Sequence, residues 1–173
     1  MLTQEQFIRN YSVMANGEVD FFLGAGASIA SGIPTGGDLI WEFKRTLYCS
    51  ECGVSTEKYK DLALPSTRKL LQEYFDRKGT CPQQYAPEEY PFYFEQCYTD
   101  PMARKRFIES MVSGREPSIG YLCLAEAVMH GKVKNIWTTN FDSLLENALH
   151  RLYPINNVLV CSEANRDSVH LLN

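Results

Sequence analysis

Residues 18–38, EVDFFLGAGASIASGIPTGGD, set a short aromatic run directly against five glycines. No other stretch restricts the fold of this chain so strongly. Val19, Phe21, Phe22 and Leu23 favour extended backbone, and a glycine immediately after them ends the strand. Read as a buried parallel strand, residues 18–24 must hand over to a helix through a tight turn. Gly24 permits that turn. Gly26, without a side chain, lets a pyrophosphate approach backbone amides at a helix N-terminus, which favour negative charge. Ile29 occupies the third glycine position of the dinucleotide fingerprint, and an ordinary strand-to-helix turn would use the first two glycines equally well. No lysine follows Gly36 and Gly37, which argues against a kinase-type phosphate loop. Ser28 and Ser31 add hydroxyls that reach phosphate or ribose, or cap a helix. Asp38 and Glu42 stand where an acidic ribose contact would sit, or serve as helix-start and helix-surface residues.

The rest of the chain alternates helical and extended patterns. Thr3 with Gln6 is a capping box, and Phe7, Tyr11 and Met14 recur at helical spacing, which predicts a helix over 4–15. Asp38 is placed to cap a helix whose Leu39, Ile40, Phe43 and Leu47 form one stripe. Residues 49–65 read as irregular. Ser66 starts a helix carrying Leu70, Leu71, Tyr74 and Phe75, residues 78–87 form a loop, and a helix over 88–98 tolerates Pro91. Asp100 followed by Pro101 opens a helix through Met111. Residues 118–130, closed by Gly131, read as a buried helix. KNIWTTNFD (134–142) has a β-favouring core ending in polar residues, with Asp142 or Ser143 opening a helix, and NNVLVCS (156–162) reads as a third strand. This alternation predicts an α/β fold: a Rossmann-like parallel sheet with helices on both faces and a helical insertion over 50–115.

With 173 residues the chain fits one domain. Its 17 basic and 21 acidic residues give a net charge of −4 without a long block of one sign, which argues against a nucleic-acid or anionic-membrane surface as partner. No apolar run approaches the roughly 20 residues of a membrane span, and MLTQEQFIRN lacks the features of a signal peptide, so the expected location is the cytoplasm. The six cysteines then read as reduced thiols. Cys49 and Cys52 have the gap of half a zinc knuckle, but Cys81 and Cys97 do not supply a second pair, and no metal is expected.

TTNFD is the second constellation that bears on chemistry. Thr138, Thr139, Asn140 and Asp142 fall where a parallel strand ends, the edge at which α/β folds bind ligands. Asn140 shaping the turn and Asp142 capping the helix is the simpler reading of the same residues.

GAGASIASGIP (24–34) together with IWTTNFDSLLENAL (136–149) resembles the sirtuin superfamily. That superfamily combines a GAGxSxxSGIP loop with a TQNxD motif, and Thr139 stands here in place of the glutamine. Within it, the chain is most similar to the sirtuin-like domains of bacterial antiviral defence proteins, where TTNFD or TTNYD leads into a Leu-Leu-Glu helix. The resemblance implies that residues 1–173 form an NAD-binding domain, the N-terminal part of a longer protein. It implies that Gly24, Ala25, Gly26, Ser28 and Thr139 line the NAD site, and that Asn140 and Asp142 are catalytic, facing the nicotinamide ribose. Two departures matter: Thr35 and Gly36 replace the aromatic and arginine that follow SGIP in the deacetylases, and the paired cysteines of their zinc ribbon are missing. The family's catalytic histidine, usually in a histidine-glycine pair, is not matched by His150 at a helix end; His170 lacks the glycine, which leaves His170 or a residue beyond Asn173 for the role. The activity implied is that of an NAD glycohydrolase, which releases nicotinamide and ADP-ribose and depletes NAD in antiviral defence. A homo-oligomer and a C-terminal sensor region are the implied partners. NAD-dependent protein deacylation and non-catalytic sensing of NAD or ADP-ribose are the alternatives.

Overall fold

The computed structural model describes residues 2–154 and 161. The expected third strand at 156–162, apart from Cys161, and His170 lie outside the described residues. The chain divides into two compact units, one comprising Met1–Phe21, Pro117–Ile136 and Ser143–Asn173, the other Phe22–Glu116 with Trp137–Asp142.

In the first unit, α1 (Gln4–Val13) starts where the capping box predicts: Gln6 N donates to Thr3 Oγ1 at 3.2 Å and Thr3 N to Gln6 Oε1 at 2.9 Å. It stops at Met14, whose backbone is extended. Strands β1 (Val19–Leu23) and β2 (Val133–Thr138), of which residues 19–21 and 133–136 belong to this unit, pair in a two-stranded parallel sheet. In this unit the pairing is reinforced by Asn135, whose backbone and side-chain nitrogens both donate to Asp20 Oδ1. Helices α6 (Ile119–Met129) and α7 (Leu144–Leu152) pack together. The apolar sequence of α6 predicts burial throughout, yet only Tyr121 and Ala125 are buried, and Ile119 is 78% exposed. No helix among the described residues is long and apolar enough to cross a membrane.

The second unit is built on helices. Thr35, not Asp38, is the N-cap of α2 (Gly36–Cys52): Asp38 N donates to Thr35 Oγ1, and Asp38 returns its carboxylate to Thr35 N. Asp38 is therefore the third-position partner of a capping box. The helix runs past Cys49 to Gly53, so the expected irregular stretch shrinks to a loop containing one 3-10 turn, Thr56–Tyr59. Next come α3 (Pro65–Lys78), α4 (Glu89–Cys97) and α5 (Pro101–Val112). Pro91 falls in the first turn of α4, where its missing N–H would have had no intrahelical partner, so the helix is not interrupted. Asp100 caps α5 by accepting from Ala103 N at 3.0 Å.

Phe43 of α2 is the centre of the core. It stacks on Phe94 at 5.3 Å between ring centroids and meets Tyr90, Tyr98 and Phe107 at tilted or edge-on angles. Phe75 and Tyr93 extend the same packing through α3 and α4, and Met111 adds to it from α5. Burying one such side chain contributes about 1.5–3 kcal/mol, so these helices carry the stability of the unit. Burial among the rings pushes the Cys97 thiol up to about 12, which disfavours the thiolate.

These observations overturn the expected Rossmann-like sheet with helices on both faces. Among the described residues the chain is mostly helical, with two strands in all. Neither strand is buried as a central parallel strand must be: Phe22 is 72% exposed and Trp137 is 60% exposed. An aromatic run signals β propensity, but not how many neighbours the strand has.

Candidate functional site

All the predicted site residues lie in the second unit. Leu23 ends β1, and Gly24 comes next with extended backbone as the N-cap of a 3-10 helix, Ala25–Ser31. Its first turn closes through Ala27 N donating to Gly24 O at 2.9 Å. The sequence predicts a helix with a macrodipole directly after the glycines. The structure has a short 3-10 segment there instead, ended by Gly32 in the left-handed region (φ 81°), and α-helix begins only at Gly36. The loop therefore offers bare backbone in place of an α-helix N-terminus.

Gly24 and Gly26 have no internal reason to be glycine. A Cβ at either position would meet nothing within 4 Å, and neither has positive φ. Gly32 is different: its φ is unfavourable for any L side chain, and an added Cβ would lie 2.9 Å from Arg115 Nη1. Arg115 is exposed and can swing aside, so backbone strain dominates. Gly32→Ala should cost about 1–2 kcal/mol, whereas Gly24→Ala and Gly26→Ala should change stability by no more than about 0.5 kcal/mol. Urea unfolding of the three variants checks the order, and equal midpoints would refute it.

The TTNFD segment meets this loop. Thr139 N donates to Leu23 O at 3.2 Å, carrying the strand pairing one residue beyond β2. Asn140 N donates to Thr138 Oγ1 at 2.9 Å, and this bond turns the chain. The Asn140 side chain then reaches across: Nδ2 donates to Gly24 O and to Ser28 Oγ, both at 3.1 Å. Ser28 Oγ in turn donates to Asp142 Oδ2 at 2.7 Å. Because a carboxylate only accepts, the order of donation is Asn140 to Ser28 to Asp142. Ser28 is 1% exposed, so its buried hydroxyl is satisfied in both senses.

The structure thus joins Gly24, Ser28, Asn140 and Asp142 in one hydrogen-bonded cluster. Ala25, Gly26 and Thr139 stand outside it, Thr139 being tied through its backbone to Leu23 at the end of β1. The simpler reading of Asn140 as a turn-shaping residue describes its backbone, while its side chain ties two segments 116 residues apart. Asp142 directs its carboxylate to Ser28, and the N-cap position of α7 belongs to Ser143, which makes no side-chain capping bond.

His150 is exposed in the last turn of α7, a position favoured by the helix dipole. Among the described residues no three His, Cys, Asp or Glu side chains gather to hold a metal, and the described cysteines, Cys49 and Cys52 included, are free thiols.

One buried group has no counterpart in the motifs of the sequence. Lys44, fully buried in α2, pairs with Glu89, donates to Gln72 Oε1 at 2.6 Å, and lies 4.7 Å from the Trp41 ring centroid and 4.9 Å from that of Tyr93. Its signal in the sequence is its register. Positions 40, 43, 44 and 47 share one helical face, so Lys44 stands inside the apolar stripe.

Comparison of the sequence with protein-family models finds no match, and comparison with curated proteins finds none either.

Proposed function

We propose that the chain is a sirtuin-like NAD glycohydrolase domain, which cleaves NAD between the ribose and nicotinamide. The observation that carries this reading is the Asn140–Ser28–Asp142 cluster built against Gly24. Beside it, Gly24 and Gly26 leave open space where any Cβ would stand, as a closely approaching diphosphate requires.

The chemistry suits these groups. The departing pyridinium becomes neutral as it leaves, so no strong acid is needed, and the charge to be stabilised is that of a ribosyl cation. Asp142 supplies a fixed carboxylate to offset that charge. Ser28 holds the carboxylate in place, and Asn140 positions ribose hydroxyls or the attacking water. A general base, worth about 100- to 10,000-fold, belongs to a histidine outside the described residues. In this proposal the domain works in the cytoplasm in antiviral defence, as part of a homo-oligomer governed by a C-terminal sensor region.

The test is nicotinamide release from NAD by the full-length protein, beside Gly26→Ala. Wild type is expected to release nicotinamide. Gly26→Ala, with stability unchanged, should lose NAD affinity by about tenfold or more, because a methyl group fills the approach to the loop. No release from wild type under any activating condition would overturn the proposal.

A second reading, a domain that binds NAD or ADP-ribose without turnover, is favoured by one feature. The Asn140 Nδ2 bonds to Gly24 O and Ser28 Oγ are directed into the loop itself. Saturable NAD binding without nicotinamide release, in protein that includes the downstream histidine, would select it.

A further inference from the structure

The helical unit holds a cleft of about 500 Å³ that shares no residue with the glycine loop. This lies within the range of small-molecule sites, roughly 300–1,000 Å³. Three side chains give it a chemistry. Arg68, in the first turns of α3, is half-buried and fixed by its Nε donating to Leu62 O, and its guanidinium carbon lies 5.2 Å from the Trp41 ring centroid. Among the described residues no carboxylate forms an ion pair with it. The neighbouring cation on the wall, Lys69, already faces Glu73 at 3.8 Å. Arg68 therefore presents the one cation of the cleft that has no acidic partner among the described residues, in a planar fork suited to phosphate oxygens.

Tyr85 is the third member. It lines the cleft yet is 86% exposed, and it is the one described non-glycine residue with positive φ, at 68°. A tyrosine in this conformation costs about 1–2 kcal/mol relative to glycine. The scaffold enforces it: Tyr85 N donates to Glu89 Oε2 at 2.8 Å, and Glu89 is held by the buried Lys44. The fold thus holds a strained backbone that displays an aromatic ring in water at the edge of a cationic cleft. Packing does not account for this ring, because almost none of it is buried.

We propose that this cleft binds a small anion carrying a planar ring, of the nucleoside monophosphate class. The phosphate pairs with Arg68, and the ring stacks on Tyr85 with the Gln84 amide in reach of its edge. A single unpaired cation matches one phosphate better than a polyphosphate. Binding here does not depend on NAD cleavage at the glycine loop.

These 173 residues hold two tryptophans, so Trp137→Phe leaves Trp41, against the Arg68 guanidinium, as their one indole reporter. In that background adenosine 5′-monophosphate should change the Trp41 emission saturably, with inorganic phosphate and adenosine each weaker by about tenfold or more. Arg68→Gln should weaken binding by about tenfold or more, the worth of one charge-assisted contact. Tyr85→Gly should do the same through lost stacking, while its relaxed backbone keeps the protein folded. An emission unresponsive to adenosine monophosphate at millimolar concentration, or unchanged affinity in either variant, would overturn the proposal.

Discussion

Asn140→Ala in the full-length protein should lower nicotinamide release by about 100-fold or more, the usual consequence of losing a preorganised positioning group. Two effects must be separated. The side chain donates to Gly24 O and Ser28 Oγ, and at about 0.5–1.5 kcal/mol for each bond, the variant should also lose roughly 1–3 kcal/mol of stability. A domain of 173 residues then melts only about 2–12 °C lower, so the rate can be read well below the transition. Asp142→Asn provides the companion measurement. An asparagine oxygen still accepts from Ser28, so the tie survives while the negative charge is gone. If that charge stabilises a ribosyl cation, Asp142→Asn should lower turnover at nearly unchanged KM. If the cluster only braces the loop, Asp142→Asn should be almost silent and Asn140→Ala should raise KM and leave kcat in place. Equal rates for Asn140→Ala and wild type would remove Asn140 from the chemistry altogether.

The features legible in the sequence share one property: their signals are local. Thr3 with Gln6, Asp100 before Pro101 and Gly131 after α6 each mark an element end through bonds or dihedrals within a few residues. The cap of α2 lies three residues before the expected one, since Asp38 is a good cap in its own right and the sequence does not say which of two nearby polar residues takes the role. The meeting of Gly24 with Asn140 is legible only when two separate motifs are read together. The sheet is not. Counting strands requires knowing who pairs with whom, and the apolar content of Phe21, Phe22 and Leu23 is the same whether the strand is central or, as here, leaves Phe22 exposed. Tyr85 has no sequence signal: its left-handed backbone is imposed by Glu89 rather than chosen by tyrosine.

The Lys44–Glu89 pair yields the largest stability effect expected in the molecule. Both side chains are essentially removed from water, at 0% and 3% exposure. Lys44→Met keeps the volume and the contact with Trp41 and Tyr93 but leaves Glu89 a buried carboxylate without its counter-charge. Breaking a buried pair from one side costs about 3–5 kcal/mol, which for a chain of this length lowers Tm by roughly 6–20 °C. The double variant Lys44→Met with Glu89→Gln should be more stable than Lys44→Met alone, because no uncompensated charge remains and the glutamine oxygen still accepts from Tyr85 N. Thermal melts of wild type, both singles and the double form a cycle whose coupling term isolates the pair. A Lys44→Met melt equal to that of wild type would mean that Glu89 reaches water or another donor when the lysine is gone. The same cycle bears on the Arg68 cleft. Glu89→Ala frees the Tyr85 backbone from its carboxylate, so a ligand that stacks on Tyr85 should lose affinity in Glu89→Ala and keep it in Glu89→Gln. Stability and ligand display are then two readings of one buried ion pair: the fold tolerates charge at its centre, and that charge holds a tyrosine where its own backbone preference would not.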